Sequence, residues 1–410
     1  MVARWAAAAF LVFAVECGAQ EFYIYVGQLT SHSALLAWGR LGGLGNTIGR
    51  DSKSYGNAQI TIGERKVQTD RNWAEVDGLR PDTKYEYHID LHGKRIGDGN
   101  IRTYPERADK LTFFVIGDFG TGSSKQYRVA EAMSNEFRKR GASENPPRFV
   151  LTVGDNIYAD VRIGNVILRS GDEDRHWESK FFRPYKEILR YIPFYPTLGN
   201  HDGNATENRG DLSVYLDNFF FPGNKPARWY EFSYGGLADF FALDSTGNTA
   251  EGPPNDIFVK GGEEMTWLGQ ALARSHAPWK IPYFHHAVYT AGPSHESGLQ
   301  PLAGFIELFR NHGVRVVFTG HEHNFQYSQV SAATGGACYV VSGAGGALRP
   351  GNVERFMKRG HIEGWAPQRH FLVVEIQGNV LQFTPVSYEP VRILDKDGEP
   401  LPAPVTIRLQ

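Results

Sequence analysis

Two kinds of hydrophobic pattern succeed one another along the chain. From residue 21 to about 104 the apolar positions come in short runs, at 22–26, 34–38, 58–62 and 85–91, separated by clusters of Gly, Asn, Asp and Ser. That spacing predicts strands joined by tight turns. In the last run Tyr85, Tyr87, Ile89 and Leu91 share one face while Glu86, His88 and Asp90 take the other, the alternation of a half-buried strand. From Lys110 onward the runs are almost continuously apolar, at 111–116, 149–153, 194–198, 240–243, 281–284 and 314–318. Helical stretches lie between several of them, at 126–139, 177–189, 262–274 and 302–311. Buried strands alternating with helices predict an α/β layer structure, and the tail from 339 to 409 returns to strands and turns.

The first nineteen residues belong to neither pattern. Arg4, an apolar run over 5–15 and Cys17-Gly18-Ala19 before Gln20 have the layout of a secretory signal peptide. The run is far short of the ~20 residues that span a bilayer, so export to a secreted or periplasmic location is expected and a membrane span is not. Processing there removes Cys17 and leaves Cys338 as the mature chain's single cysteine, a small residue inside an apolar run and expected in the core. Val76-Asp77-Gly78-Leu79-Arg80-Pro81-Asp82-Thr83-Lys84-Tyr85 resembles the turn and strand that carry the tyrosine corner of fibronectin type III-like sandwiches, and Trp38 fits the buried tryptophan of an early strand. The expected division is a signal peptide at 1–19, a β-sandwich at 20–105 and a second domain at 106–410. The sandwich could bind carbohydrate or a partner, but its simpler role is structural, leaning on its neighbour.

Composition changes little in this picture. A hydrophobic share of 41% with 21% charged residues is that of a folded chain. The formal net charge of −2 offers no cationic surplus for coating nucleic acid.

The chemistry lies where the apolar runs of the second region stop. Five polar blocks each follow such a run: Gly117-Asp118-Phe119-Gly120, Gly154-Asp155-Asn156-Ile157-Tyr158, Gly199-Asn200-His201-Asp202, His285-His286, and Gly320-His321-Glu322-His323. Strand carboxyl ends of an open α/β sheet converge on one crevice, and a neighbouring glycine lets the backbone turn sharply. Asp118, Asp155, Tyr158, Asn200, His285, His321 and His323 together offer oxygen and nitrogen donors without a thiolate, a set suited to iron, zinc or manganese. Taken singly each block is ordinary, since a Gly-Asp at a strand end is usually a turn or helix cap. Seven donors exceed what one structural zinc needs, and two ions sharing a bridging carboxylate account for them economically.

The five blocks resemble the calcineurin-like metallophosphoesterases over about residues 111–385, and more closely the purple acid phosphatases. Most metallophosphoesterases carry Asp-x-His in the first block; this chain has Gly120 in place of that His and gains Tyr158 three residues after Asp155. The resemblance implies a four-layer α/β/β/α sandwich behind the fibronectin-like domain. It implies a ferric ion on Asp118, Tyr158 and His323, a divalent partner (Fe, Zn or Mn) on Asn200, His285 and His321, and Asp155 as the bridge. His201 matches a family histidine facing the substrate phosphate, and His295 falls where the family places one near the leaving group. The family's His-x-Pro-x-Tyr becomes His285-His286-Ala287-Val288-Tyr289, which favours His285 over His286 as ligand while lacking the proline.

The expected activity is that of a secreted acid phosphatase hydrolysing phosphate monoesters by attack of a metal-bound hydroxide. His201 and His295 would stabilise developing charge and protonate the leaving oxygen. The alternative on the same scaffold is a phosphodiesterase or pyrophosphatase, a choice left to loops at 203–228 and 246–261. A non-catalytic binding protein would need a broken metal site, yet all seven positions are filled. Serine-hydrolase and P-loop chemistry are disfavoured because neither Gly-x-Ser-x-Gly nor Gly-x-x-x-x-Gly-Lys-Ser/Thr occurs. His88, His176, His312 and His370 lack motif context and read as ordinary surface or core residues.

Overall fold

In the computed structural model the residues described are 22–41, 48–50, 52–158, 161–163, 166–168, 176–202, 212–246, 261–292, 294–295, 299–351 and 353–409. The proposed signal segment lies outside them, as do residues 203–211 and 247–260 of the two loops named above.

The N-terminal region is all-β. A three-stranded antiparallel sheet runs in the order Tyr23–Leu29, Ser33–Gly39, Trp73–Asp77, and a four-stranded one in the order Arg65–Thr69, Ala58–Ile62, Lys84–Leu91, Lys94–Arg102. Trp38 is fully buried, and the Tyr85 hydroxyl accepts a 2.8 Å hydrogen bond from the Arg80 backbone N–H, the tether of a tyrosine corner. The outer strands, too polar to stand out as apolar runs, close the sandwich.

Beyond Lys110 two mixed sheets face each other. The first has six strands in the order Phe194–Thr197, Pro147–Val153, Lys110–Ile116, Phe371–Gln377, Val380–Val386, Val405–Arg408. The second has seven, Tyr230–Tyr234, Ala238–Ala242, Trp279–Tyr283, Val316–Thr319, Cys338–Ser342, Phe325–Ser328, Ile362–Ala366. Aromatic side chains interleave between them: Phe113 and Phe149 of the first sheet pack against Phe240 of the second with centroids 5.4 and 5.1 Å apart. Helices cover the outer faces. Ser124–Gly141, capped by the Ser123 hydroxyl, lies with Arg183–Leu189 on the six-stranded side. Glu263–Arg274 and Leu299–Asn311 lie on the seven-stranded side, where Leu268, Leu272, Phe305 and Phe309 join a second core with Phe241 and Tyr339. The architecture is the α/β/β/α sandwich expected from sequence. The helix expected over 177–189 opens with a π-helical turn, Glu178–Phe182.

The two regions share one core. Tyr25 packs on Phe182 and Phe220, and Trp73 on Phe220. The Tyr87 hydroxyl donates to the Arg190 carbonyl at 2.7 Å and the Tyr23 hydroxyl to Glu178 at 2.8 Å. Among the described residues no helix is long and apolar enough to cross a membrane. Cys338 is buried and unpaired in its strand.

Candidate metal centre

Three parallel strands of the first sheet and four of the second end on the same side, which is why blocks far apart in sequence meet. Asp118 and Asp155 follow the first sheet's central strands, Asn200 its edge strand, and His285 and His321 follow central strands of the second.

The junctions differ from the expectation that glycine makes the sharp turn. The left-handed backbone falls on the acids and the histidine themselves, with φ of 55° at Asp118, 50° at Asp155 and 71° at His321. Such conformations are costly for non-glycine residues and concentrate at functional sites. Gly154 shares positive φ (84°), but Gly199 and Gly320 act by giving room. A Cβ at Gly199 would lie 2.2 Å from Asp155 Oδ1, and one at Gly320 would lie 2.5 Å from Asp118 Oδ2.

The seven side chains form two groups that meet at Asp155. In the first, the Tyr158 hydroxyl lies 3.1 Å from Asp118 Oδ1 and 3.0 Å from His323 Nε2, and the last two atoms are 3.3 Å apart. In the second, Asn200 Oδ1 lies 3.0 Å from both His285 Nε2 and His321 Nδ1, which are 3.2 Å from each other. Asp155 Oδ1 approaches His285 Nε2 at 3.3 Å, and one donor atom each from Asp118, Asp155 and His323 lie within 4.8 Å of one another.

The donor chemistry fits a cation. His285 Nδ1 faces the Val153 carbonyl at 2.9 Å, so that nitrogen carries a proton and Nε2 presents a lone pair. This lone pair points at a carboxylate oxygen and an amide oxygen, an arrangement that is repulsive unless a positive species lies among them. Without one the imidazole itself becomes the cation. Burial alone would lower the His285 pKa, but Asp155 and Asp118 push it up to about 9. Half-buried His321 is pushed down instead, by desolvation and by the neighbouring His285, His286 and His295. Burial and the carboxylates of Asp118 and Asp155 hold the Tyr158 phenol well above its usual range, a bias that only a strong nearby cation would reverse.

His201 donates its backbone N–H to Asp155 Oδ1 at 2.8 Å and sets its ring on Tyr158, centroids 4.7 Å apart. His295 stacks on His321 at 3.8 Å. His286 turns to Ser245, Nδ1 to Oγ 2.9 Å, so His285 rather than His286 meets Asn200 and Asp155. Of the histidines without motif context, His370 is buried with Ser342 Oγ at 3.2 Å, and His88 lies 3.4 Å from Asp90 on the sandwich. His176 is exposed and His312 half-buried.

Three polar residues around the cluster had no role assigned from sequence. Asp202, fully buried, accepts from the N–H groups of Gly199, Asn156 and Ile157 and from Asn156 Nδ2 at 2.7 to 3.2 Å, tying the Asp155 loop to the Asn200 loop. Burial and the Asp155 charge push its pKa up to about 7 against the pull of those donors. Glu322 is fully buried beside His295. Lys180 Nζ, on the π-helical turn, donates to the Tyr158 carbonyl at 2.9 Å.

The chain is similar in sequence and fold to known proteins. Residues 111–325 match the calcineurin-like phosphoesterase profile. An uncharacterized protein of Mycobacterium tuberculosis is 25% identical over 77% of this chain and 64% of its own, so the chain spans just under two thirds of that relative. Purple acid phosphatase 7 of Arabidopsis thaliana is 26% identical over 65% of this chain and 77% of its own. The fold is similar to that of purple acid phosphatase PPD1 from yellow lupin (Lupinus luteus) seeds, with a TM-score of 0.68, 17% identity and coverage of 95% of this chain and 74% of that one. It is also similar to the structure of PhoD, with a TM-score of 0.65, 16% identity and coverage of 93% and 92%.

Proposed function

Because the chain belongs to the calcineurin-like phosphoesterase family, we propose that it is a secreted, dinuclear-metal acid phosphatase that hydrolyses phosphate monoesters. The observation that carries this reading is the Tyr158 hydroxyl standing within 3.1 Å of both Asp118 and His323, a phenol in a set of donors otherwise made of carboxylate, amide and imidazole. Similarity to purple acid phosphatases supports it. Asp118, Tyr158 and His323 would hold a ferric ion, Asn200, His285 and His321 a divalent iron, zinc or manganese ion, and Asp155 both. Bound there, the two cations would supply Lewis-acid charge and an acidified water.

The chain's own residues do the rest. His201, pinned through its N–H to Asp155, presents its ring on the side of Tyr158 to hydrogen-bond a phosphate oxygen. His295 lies on the opposite group, against His321, and gives a proton to the leaving oxygen as the phosphorus–oxygen bond breaks. Asp202 and Glu322 fix the loops that carry these groups. Export follows from the 1–19 segment, and the division into a sandwich at 20–105 and a catalytic domain at 106–410 is part of the same proposal. The test is hydrolysis of p-nitrophenyl phosphate against bis(p-nitrophenyl) phosphate by the metal-loaded protein from pH 4 to 8. A monoester preference with an acid optimum supports the reading, and a diester preference overturns it.

A further inference from the structure

Beyond the strand Cys338–Ser342 the chain forms a glycine-rich arm stitched to the segments that carry the proposed ligands. Gly345 N–H donates to the Gly117 carbonyl at 2.9 Å, those of Gly346 and Ala347 to the Asp118 carbonyl at 3.0 Å, and that of Arg349 to the His323 carbonyl at 2.8 Å. A Cβ at Gly346 would meet the Phe119 carbonyl at 2.2 Å, so only glycine permits the approach. The arm therefore delivers Arg349 to the rim of the centre on a backbone fixed by the centre itself.

There Arg349 Nη1 lies 3.2 and 3.3 Å from the two ring nitrogens of His295. Near-equal distances set it over the ring, because in the ring plane the carbon between the nitrogens would block it. The imidazole is held in turn by Glu322, whose Oε2 accepts from the His295 backbone N–H at 3.0 Å and lies 3.2 Å from Nδ1. Glu322 is fully buried and its Oε1 has no partner among the described residues. No carboxylate among the described residues forms an ion pair with Arg349, so a half-buried permanent cation has an imidazole as its nearest polar partner. A planar fork of donors in that state is suited to an anionic oxygen pair.

We propose that Arg349 binds an anionic group on the leaving-group side of the substrate, so that the site selects phosphoanhydrides and phosphate-bearing leaving groups over esters of uncharged alcohols. This rests on the dinuclear phosphatase chemistry proposed above and, within it, shifts the preference from simple monoesters toward anhydrides, the pyrophosphatase alternative that the sequence leaves open. The phosphate under attack would sit against the seven donors, and Arg349 touches His295, the residue placed at the leaving oxygen, so its free donors would meet the next group of the substrate.

The experiment compares kcat/KM of the full-length, metal-loaded protein for pyrophosphate and for phenyl phosphate, in the wild type and in Arg349→Ala. The expected result is a fall of about 10- to 100-fold in the pyrophosphate-to-phenyl phosphate ratio, the loss of one charge-assisted contact to a substrate group. Because Arg349 also touches His295, the phenyl phosphate value falls too, but by less than the pyrophosphate value, so the ratio is the readout. An unchanged ratio overturns the assignment, whether both activities fall together or neither does. Should Arg349→Ala not fold, Arg349→Gln, which keeps most of the stem and removes the charge, must show the same fall. A wild type that hydrolyses neither substrate refutes the phosphatase reading itself and is distinguished by the absence of any ratio to compare.

Discussion

Replacing Asp202 by Ala should weaken the fold and the metal centre together. Four N–H groups converge on this buried carboxylate, two of them from Asn156 and one each from Gly199 and Ile157. Above the value of about 7 to which Asp202 is pushed the group is charged; a hydrogen bond to a charged group contributes about 1.5–3 kcal/mol net, and a donor left buried without a partner costs about 1–3 kcal/mol. The four contacts share one carboxylate, three on Oδ2 and one on Oδ1, and do not add, so the expected loss is about 4 kcal/mol rather than their sum. Asp155, Tyr158 and Asn200 stand on the two loops that Asp202 ties, and removing such a support lowers metal affinity by about 10- to 100-fold. The measurements are urea unfolding of the metal-free protein, which keeps metal binding out of the stability difference, and zinc competition against a chromophoric chelator. Asp202→Asn, which keeps the volume and one acceptor, should fall between. Asp202→Ala within about 1 kcal/mol of wild type and with unchanged zinc affinity would refute the reasoning.

Two further outcomes follow from the core. His370 is buried and its pKa is pushed down from 6.5 to about 4 by burial, so the folded state holds it neutral while the unfolded chain protonates near 6.5. Stability from this group is complete above pH 6.5 and declines as pH falls toward 4, by about 3 kcal/mol in all; His370→Gln should flatten the acid limb of Tm against pH, and an unaltered limb would exclude it as the cause. Deleting residues 20–105 leaves every proposed ligand in place but uncovers Phe182 and Phe220, which pack on Tyr25 and Trp73. Each large side chain so exposed forfeits about 1.5–3 kcal/mol, so the remainder should lose its cooperative melting transition, and a soluble remainder with wild-type Tm would show the sandwich to be dispensable.

The strand ends and the candidate donors that follow them were legible because the information is local: an apolar run and then a donor residue, set off by a glycine in four of the five blocks. The tyrosine corner was legible for the same reason, its partners Arg80 and Tyr85 lying in one turn. What the pattern does not encode is which atom takes the strain. Gly-Asp reads as a glycine turn, yet the positive φ lies on Asp118, whereas at Gly199 and Gly320 a side chain would collide with the carboxylates of Asp155 and Asp118. Asp202 and Glu322 stood inside the blocks without an assigned role, since an acid beside a proposed ligand looks the same whether it supports a loop or faces water. Arg349 carried no signal. Its place depends on hydrogen bonds from the arm to Asp118 and His323, contacts between segments remote in sequence. The π-helical turn that aims Lys180 at Tyr158 is likewise a product of packing, not of periodicity.

The most direct test of the central claim is the visible absorption spectrum of the purified protein, recorded with its metal content, for the wild type and Tyr158→Phe. Two ions per chain and a broad visible band that disappears in Tyr158→Phe at constant iron would place the phenolate on ferric iron. A wild type that is colourless with both positions filled, or a band that survives the substitution, would contradict the account.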